Sequence, residues 1–537
     1  VPRPFSGHGN VSPNCMLQAE FDVNHRDNEP VKVRKIALWV CGIALCVYTV
    51  TTGGSFATDL ASFEVTKNLA QRGSFAMSYD VLATEAERGV DGQYYAPVGI
   101  GHPLFSLPFY LGSRALQSLS AIKIGKPETL DKAAVVLGSA VAAAFCAPLA
   151  FLFAWRLSGS LEGALVATLS LAFGTILWPY SKFGFNAPLA TCCLLGATLC
   201  TWIGVRDYRS YVLMAGGALQ GMALLTRHEM GVMIIPIFIW LVAESRRDRQ
   251  LMFKRLVLFG LPFALAVGVW MWYNASRFGH PFDTGLLRDP NVRFDSSFFV
   301  GLYGLLASPG RALFLYAPIT LVGLLALKRL AMQDRSTALL FGLQILILTS
   351  LIAKMHQWDG GESYGPRYLV PLLPYLTVPI AVLFPLGQRA VRRRILFTTL
   401  ALSVLVQLPG VLVDYSKIQN AFARQTEGYS IQMSRYSWEA TPLVLNVKSA
   451  LKGVPRNVGH LIGIATPPAV VQSGQETQRD FSQQFVFSLD FWWLYLYYLG
   501  VIPAWLSVLA GIFPLMIASY LIYMVRRSLR SFSNSNP

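Results

Sequence analysis

Between the first apolar run of the chain, 36–52, and the next comes a long polar stretch, 53–132, that opens with an acid, Asp59. A carboxylate held at the end of an apolar span can take a proton from a hydroxyl presented at the membrane surface. The same position also suits an ordinary helix cap, supplied by Thr58 or Asp59. A short helix is expected to follow, with Leu60, Phe63 and Lys67 on one face along the bilayer and an end near Gly73. Further on, Asp91-Gly92-Gln93-Tyr94-Tyr95 leads into Gly99, Gly101, Pro103 and Pro108, turn punctuation before an apolar run at 104–116. The stretch therefore reads as a surface loop with two interfacial helices.

Two other segments concentrate reactive side chains. Trp358 to Leu369 reads WDGGESYGPRYL, where Arg367 could grip phosphate oxygens in a fork and the glycines would let backbone amides approach an anion. An aromatic belt with an arginine reaching the headgroups is the plainer reading. Lys354 and His356 could serve the same anion, although cations beside span ends commonly face the interface. Arg227-His228-Glu229 forms a very short turn, either a salt-bridged corner or an arginine held by Glu229 to bind phosphate, with His228 as a further donor. His102 and His280 could join Asp59 or Asp283 as metal ligands, but no spacing of the HExxH kind supports that. Asn274-Ala275-Ser276 matches a glycosylation acceptor.

The elements that must position these residues are membrane helices. The 537 residues are 53% hydrophobic and only 14% charged, which excludes an ordinary soluble domain. The net charge of +16 sits mostly in short loops, as insertion topology requires, so nucleic-acid binding is not expected. About twelve spans are expected, near 36–52, 133–155, 163–180, 185–204, 211–226, 229–244, 256–273, 312–327, 337–353, 369–387, 395–413 and 498–525. Basic groups alternate along them: Lys32, Arg34 and Lys35; Arg206 and Arg209; Arg246 to Arg255; Lys328, Arg329 and Arg335; Arg389 to Arg394; Arg526 to Arg530. Both termini are therefore expected in the cytoplasm, with Asp59, Arg227 and Arg367 at the opposite face. The first apolar run follows a polar tail, so it should stay as an anchor rather than be cleaved.

This gives an all-α polytopic membrane protein with two long extracytoplasmic loops carrying interfacial helices. Its parts are a cytoplasmic tail, 1–35, a membrane core, 36–413, that includes the first long loop at 53–132, a second long loop, 414–490, and a final span with its tail, 491–537. Apolar patches at 443–447 and 461–465 suggest a small packed unit or re-entrant helices in the second loop. Six of the seven cysteines lie in apolar spans and Cys15 in the tail, so neither a disulfide nor a cysteine metal cluster is expected. No internal repeat or low-complexity tract is present.

Taken in order, the acid after the first span, the Asp-Gly-Gln-Tyr-Tyr to Gly-x-Pro passage, Arg277 to Phe282 and Gly360 to Leu369 resemble polytopic glycosyltransferases of the C superfold. The likeness is greatest to family 39 and its bacterial relatives that use a phospholipid-carried sugar, over roughly 36–390. The resemblance implies an inverting transfer from a polyprenyl-monophosphate sugar to an acceptor hydroxyl of a glycan, lipid or protein on the outer face. Asp59 matches the catalytic acid of the family. In many relatives Glu follows directly, but here Leu60 does, which leaves a second acidic role to Glu64 or Asp91. The resemblance further implies donor-phosphate binding by Arg367, Arg227, Lys354 and His356, and substrate binding by Tyr94, Tyr95, His102, Trp358, Glu362 and Tyr364. No cofactor is required on this reading, and with cations available a divalent metal is not needed. A bacterial inner membrane is the expected location, with the site facing the periplasm or exterior.

Two other functions fit parts of the pattern. A secondary transporter would suit the number of spans, but would place ionisable groups near the midplane rather than at one face. A polysaccharide ligase or polymerase would use a lipid-diphosphate donor and basic residues in a late loop such as 414–490.

Overall fold

The computed structural model describes residues 13–54, 59–77, 86–119, 127–288, 292–385, 390–465, 489–498 and 500–533. Thr58, the alternative cap, and 466–488 of the second long loop lie outside the described residues. The chain is an all-α polytopic membrane protein. Eight helices among the described residues are long and apolar enough to cross a membrane, because a helix satisfies its backbone polar groups internally where lipid offers them no partner. They match the expected spans near 36–52, 133–155, 185–204, 229–244, 256–273, 337–353, 395–413 and 498–525.

The other four expected spans are shorter or interrupted. Leu161–Phe173 gives way to a separate turn, Leu177–Ser181, and Ser210–Thr226 is a short apolar helix. The span expected at 312–327 is displaced toward its C-terminal side, as Leu313–Tyr316 and then Ile319–Gln333 around Pro318. The one expected at 369–387 breaks into Arg367–Leu372, Leu373–Thr377 and Val378–Leu383. Pro371, Pro374 and Pro379 each remove a backbone donor from that stretch, which explains the break. It is nonetheless almost wholly buried, so neighbouring helices rather than lipid enclose its irregular backbone. A further short apolar helix, Phe298–Ala307, was not expected.

The first long loop contains the two expected helices, Leu60–Arg72 and Gly101–Leu119. The first ends at Gly73, whose φ of 63° lets its N–H reach the carbonyl of Leu69 and the Ser74 N–H reach that of Asn68. The expected bilayer face is not formed. Leu60 is exposed, but Phe63 is buried against Tyr110 and Val135, and Lys67 pairs with Glu64 at 3.2 Å. The helix thus packs into the loop's own partners rather than lying free on lipid. Between the helices is a small antiparallel sheet, absent from the sequence reading: Ala76–Met77 and Glu87–Arg88 flank Tyr94–Tyr95.

The second long loop begins with a packed helical group, Tyr415–Gln425, Ile431–Tyr436 and Pro442–Leu461, in which Val413, Ile418, Leu445 and Ala450 form a core. The early and late parts of the chain meet beside Asp59. Trp492 and Trp493 donate their indole N–H to the carbonyls of Thr49 and Val50 at 2.8 and 3.1 Å, and the Trp492 amide reaches Thr52. Lys182, the lone charge between Glu162 and Arg206, is fully buried there. Its Nζ pairs with Asp490 at 2.9 Å and donates to the carbonyls of Val411 and Val413 at the end of helix Ala390–Leu412. A cation at a helix C-terminus meets the negative end of the dipole.

Candidate active site

Asp59 is the N-cap of helix Leu60–Arg72, and its Oδ1 accepts from the Ser62 N–H at 3.3 Å. Its own N–H reaches the Gly184 carbonyl at 3.3 Å, which ties the cap to the turn between two membrane helices. Burial raises the Asp59 carboxyl above its ordinary value, while the Ser62 amide, Arg367, the Ala61 amide and Arg227 each pull it back down. The electrostatics therefore join one acid and two arginines from three distant parts of the chain. A carboxyl of that kind is a stronger base than an exposed aspartate once it is ionised.

Arg227 ends helix Ser210–Thr226 with an extended backbone, φ −144°, and its Nε donates to Glu229 Oε1 at 2.7 Å. Its guanidinium also lies 5.3 Å from the Tyr368 ring centroid. Arg367 stands 5.0 Å from the same ring and donates to the Tyr368 hydroxyl at 3.2 Å. One tyrosine thus holds both arginines, but their pairing differs. Glu229 partners Arg227, whereas Arg367 has no carboxylate within ion-pairing distance among the described residues, and its buried Nε makes no hydrogen bond there. The buried hydroxyls of Tyr180 and Tyr415 lie close to one another without a well-aligned hydrogen-bond partner, and both tyrosines lie within the electrostatic reach of Arg367. A cation with free donor capacity beside a basic carboxylate suits a substrate whose anionic group departs while a hydroxyl is deprotonated.

The turn that delivers Arg367 is built without slack. Gly360, Gly361 and Gly365 have φ of 74°, 65° and 71°, and a Cβ at Gly360 would come within 2.8 Å of the Arg367 side chain. Arg311, fully buried, donates to the carbonyls of Asp359, Gly310 and Gly361 at 3.0, 2.8 and 2.6 Å. Asp359, also buried, pairs with Arg435 at 2.8 Å, so a helix of the second loop is clamped to the turn. On the opposite side the first loop is seated on the end of helix Ser210–Thr226. A Cβ at Gly99 or Gly101 would meet the Leu225 carbonyl or the Thr226 amide at 2.2 and 2.7 Å.

The remaining residues singled out in the sequence lie around this centre. His102 is buried beneath helix Leu60–Arg72, with its Nδ1 2.6 Å from the Ser62 hydroxyl. Burial lowers its pKa to about 4, so it is a neutral hydrogen-bonding partner at ordinary pH. Glu64 is buried and bound to Lys67, away from the Asp59 carboxyl. Asp91 lies in the exposed turn before Tyr94–Tyr95, where the Tyr95 hydroxyl and the Gln93 amide hold its carboxyl below the usual range. Lys354 donates to the Ser296 carbonyl and His356 pairs with Asp295 at 2.8 Å, both at the exposed side of the 293–296 segment. Trp358 and Tyr364 are buried packing residues, and Glu362 accepts from Ser416 and Asn420 on helix Tyr415–Gln425. His228 accepts from the Trp270 indole at 2.9 Å. No three His, Cys, Asp or Glu side chains among the described residues are grouped so as to hold a metal ion. Cys41, Cys46, Cys146, Cys192, Cys193 and Cys200 are free thiols.

Sequence reasoning did not find Tyr368, Tyr180, Tyr415 or Arg311. Tyr180 had one usable signal, since Lys182 breaks an otherwise uncharged stretch two residues later.

Residues 128–272 match the family model described as dolichyl-phosphate-mannose-protein mannosyltransferase. That segment includes Lys182 and Arg227 but neither Asp59 nor Arg367. Among solved structures, ArnT from Cupriavidus metallidurans bound to undecaprenyl phosphate is 15% identical, with 87% of each chain covered and a TM-score of 0.48. The same protein in the apo state is 17% identical, with 84% of each chain covered and a TM-score of 0.49. No curated protein matches the sequence.

Proposed function

We propose, from the match of residues 128–272 to a lipid-phosphate-sugar mannosyltransferase family, that this chain is a membrane glycosyltransferase that uses a polyprenyl-monophosphate sugar. The observation that carries the reading is that Asp59, raised by burial, lies within the electrostatic reach of Arg367, a half-buried cation without a carboxylate partner among the described residues. Asp59 accepts the proton of an acceptor hydroxyl, and the hydroxyl oxygen attacks the anomeric carbon from the face opposite the phosphate. The bond from that carbon to the phosphate oxygen breaks, its electron pair stays on the phosphate, and the anomeric configuration inverts. Arg367, and Arg227 beside it, meet the negative charge that grows on the leaving phosphate. The charges that the reaction needs are thus supplied by the protein itself, without a required cofactor.

Glu229 tempers Arg227, so Arg367 carries the larger share of leaving-group stabilisation. His102 positions Asp59 through Ser62, and Arg311 positions Arg367 through the Gly360–Gly361 turn. Lys354, His356, Tyr94 and Tyr95 belong to the rim, where they would meet an acceptor or the lipid surface rather than the reacting atoms. The site faces the periplasm or exterior of a bacterial inner membrane, and the acceptor is a glycan, lipid or protein hydroxyl.

The test is transfer by the protein in lipid nanodiscs from a panel of radiolabelled lipid-linked sugars, with monophosphate and diphosphate carriers side by side. One monophosphate donor is expected to be consumed. Turnover of diphosphate donors alone would assign the chain to ligase or polymerase chemistry. Solute flux in sealed vesicles without any transfer would make it a transporter.

A further inference from the structure

At the end of the bundle away from Asp59 there is a second polar cavity, of about 400 Å³, between the Arg206–Ser210 and Ser245–Arg249 turns. Arg227 immediately precedes and Glu244 lies next to the end of the same helical stretch, His228–Ser245, which opens with a 3-10 turn over His228–Met233 and continues as an α-helix, so the two sites lie at opposite ends of a membrane-length element, roughly 30 Å apart at about 2.0 and 1.5 Å per residue. The cavity is lined by Arg206, Tyr208, Glu244, Arg247, Asp248 and Arg255. Its two carboxylates are already engaged. Glu244 binds Ser336 and Arg206, and Asp248 accepts from the Leu251 amide at 3.0 Å as the cap of helix Arg249–Phe278.

Its arginines are not balanced in the same way. Arg206 pairs with Asp334 at 3.0 Å. Arg255, only 6% exposed, donates to the Ser245 hydroxyl and the Val205 carbonyl, both neutral, and has no carboxylate within ion-pairing distance among the described residues. Arg247 stands exposed at the rim, also without an acidic partner among the described residues. A buried guanidinium with neutral partners alone is costly unless an anion meets it. Tyr208 adds an independent sign. It is the one non-glycine residue with positive φ among the described residues, at 56°, and this left-handed backbone holds its ring 5.4 Å from the Arg255 guanidinium. Glycine would take that position without strain.

The helix that carries Arg255 has an apolar lipid-facing surface. Phe253, Val257, Leu261, Leu265 and Val269 are exposed at a spacing of four along helix Arg249–Phe278, a stripe suited to acyl chains. We propose that this cavity binds the phosphate headgroup of an anionic phospholipid from the leaflet opposite the Asp59 site. Arg255 and Arg247 meet the phosphate, Tyr208 closes over the headgroup, and the lipid tails run along the stripe. The inference does not depend on the glycosyltransferase reading.

The test is native mass spectrometry of the full chain in detergent, titrated with phosphatidylglycerol or phosphatidylcholine, with and without excess inorganic phosphate. One phosphatidylglycerol is expected to bind in preference to phosphatidylcholine and to resist inorganic phosphate. Arg247→Glu and Tyr208→Gly are each expected to weaken it at least about fivefold. Both positions are exposed, and glycine relieves the backbone strain at 208, so melting temperatures near that of the parent would rule out misfolding as the cause. Equal binding by the parent and both variants would overturn the proposal. So would ready displacement by inorganic phosphate, which would identify a free phosphate as the ligand.

Discussion

At the scale of single residues, the account turns on a carboxyl whose pKa the fold raises by burial and a guanidinium that it leaves underused. The raised Asp59 pKa fixes two signs. Its basic form is lost as pH falls through the raised value, so the acid limb of the transfer rate is expected above the ordinary aspartate value of about 3.9. Arg227→Gln removes one of the charges that pull the carboxyl down, so this limb should move to still higher pH. Because the folded value is raised, the ionised carboxylate costs stability in full at pH above it, and that cost shrinks as pH falls through it and is gone below the unfolded value of about 3.9. Asp59→Asn keeps a good helix cap without the charge. Thermal melting near neutral pH is therefore expected to show Asp59→Asn above the parent, with the gap closing in acid. Arg367→Gln should lower turnover by about a hundredfold to a thousandfold, with labelled acceptor binding little changed.

At the scale of elements, the site is the place where three irregular backbones meet. The cap at Asp59 opens a helix, the corner at Arg227 closes one, and the glycine turn before Arg367 lies between helix Arg335–Lys354 and the short turns from Arg367 onward; each is locked by long-range partners. The Arg435–Asp359 pair is the clearest such lock, since Asp359 is fully buried. Arg435→Met is expected to destabilise by about 3–5 kcal/mol in denaturation, because it strands a buried carboxylate. Adding Asp359→Asn should recover much of that loss. These locks also explain what the sequence could and could not disclose. Helix Leu60–Arg72 was legible from its Asp59 start and Gly73 end, because caps are local chemistry. The burial of Phe63 was not, because it depends on Tyr110 and Val135 elsewhere in the chain. The break of the span expected at 369–387 was written in Pro371, Pro374 and Pro379, but hydropathy alone outweighed them.

At the scale of the molecule, the spans that charge patterning marks are single membrane-length helices at eight positions, while Tyr180, Tyr368 and Tyr415 come together only in three dimensions. Asp59 and Arg367 were legible as candidates because charges in an apolar chain stand out, whereas tyrosines in such a chain do not. The same logic separates the two polar sites by face. Cysteines introduced singly at exposed Gly428 and exposed Arg249, in a background lacking the native thiols, should differ in inverted and right-side-out vesicles. An impermeant maleimide is expected to label the first only from the outer side and the second only from the cytoplasmic side, as the alternation of basic loops requires.

The most direct measurement is a single-turnover experiment in nanodiscs with the radiolabelled donor that the parent consumes. Donor binding and sugar transfer would be followed together in the parent and in Asp59→Asn. The account expects Asp59→Asn to bind the donor as the parent does and to transfer its sugar about a hundredfold to ten-thousandfold more slowly. Transfer at the parental rate by Asp59→Asn would contradict it, because no other acid is assigned the role of the base.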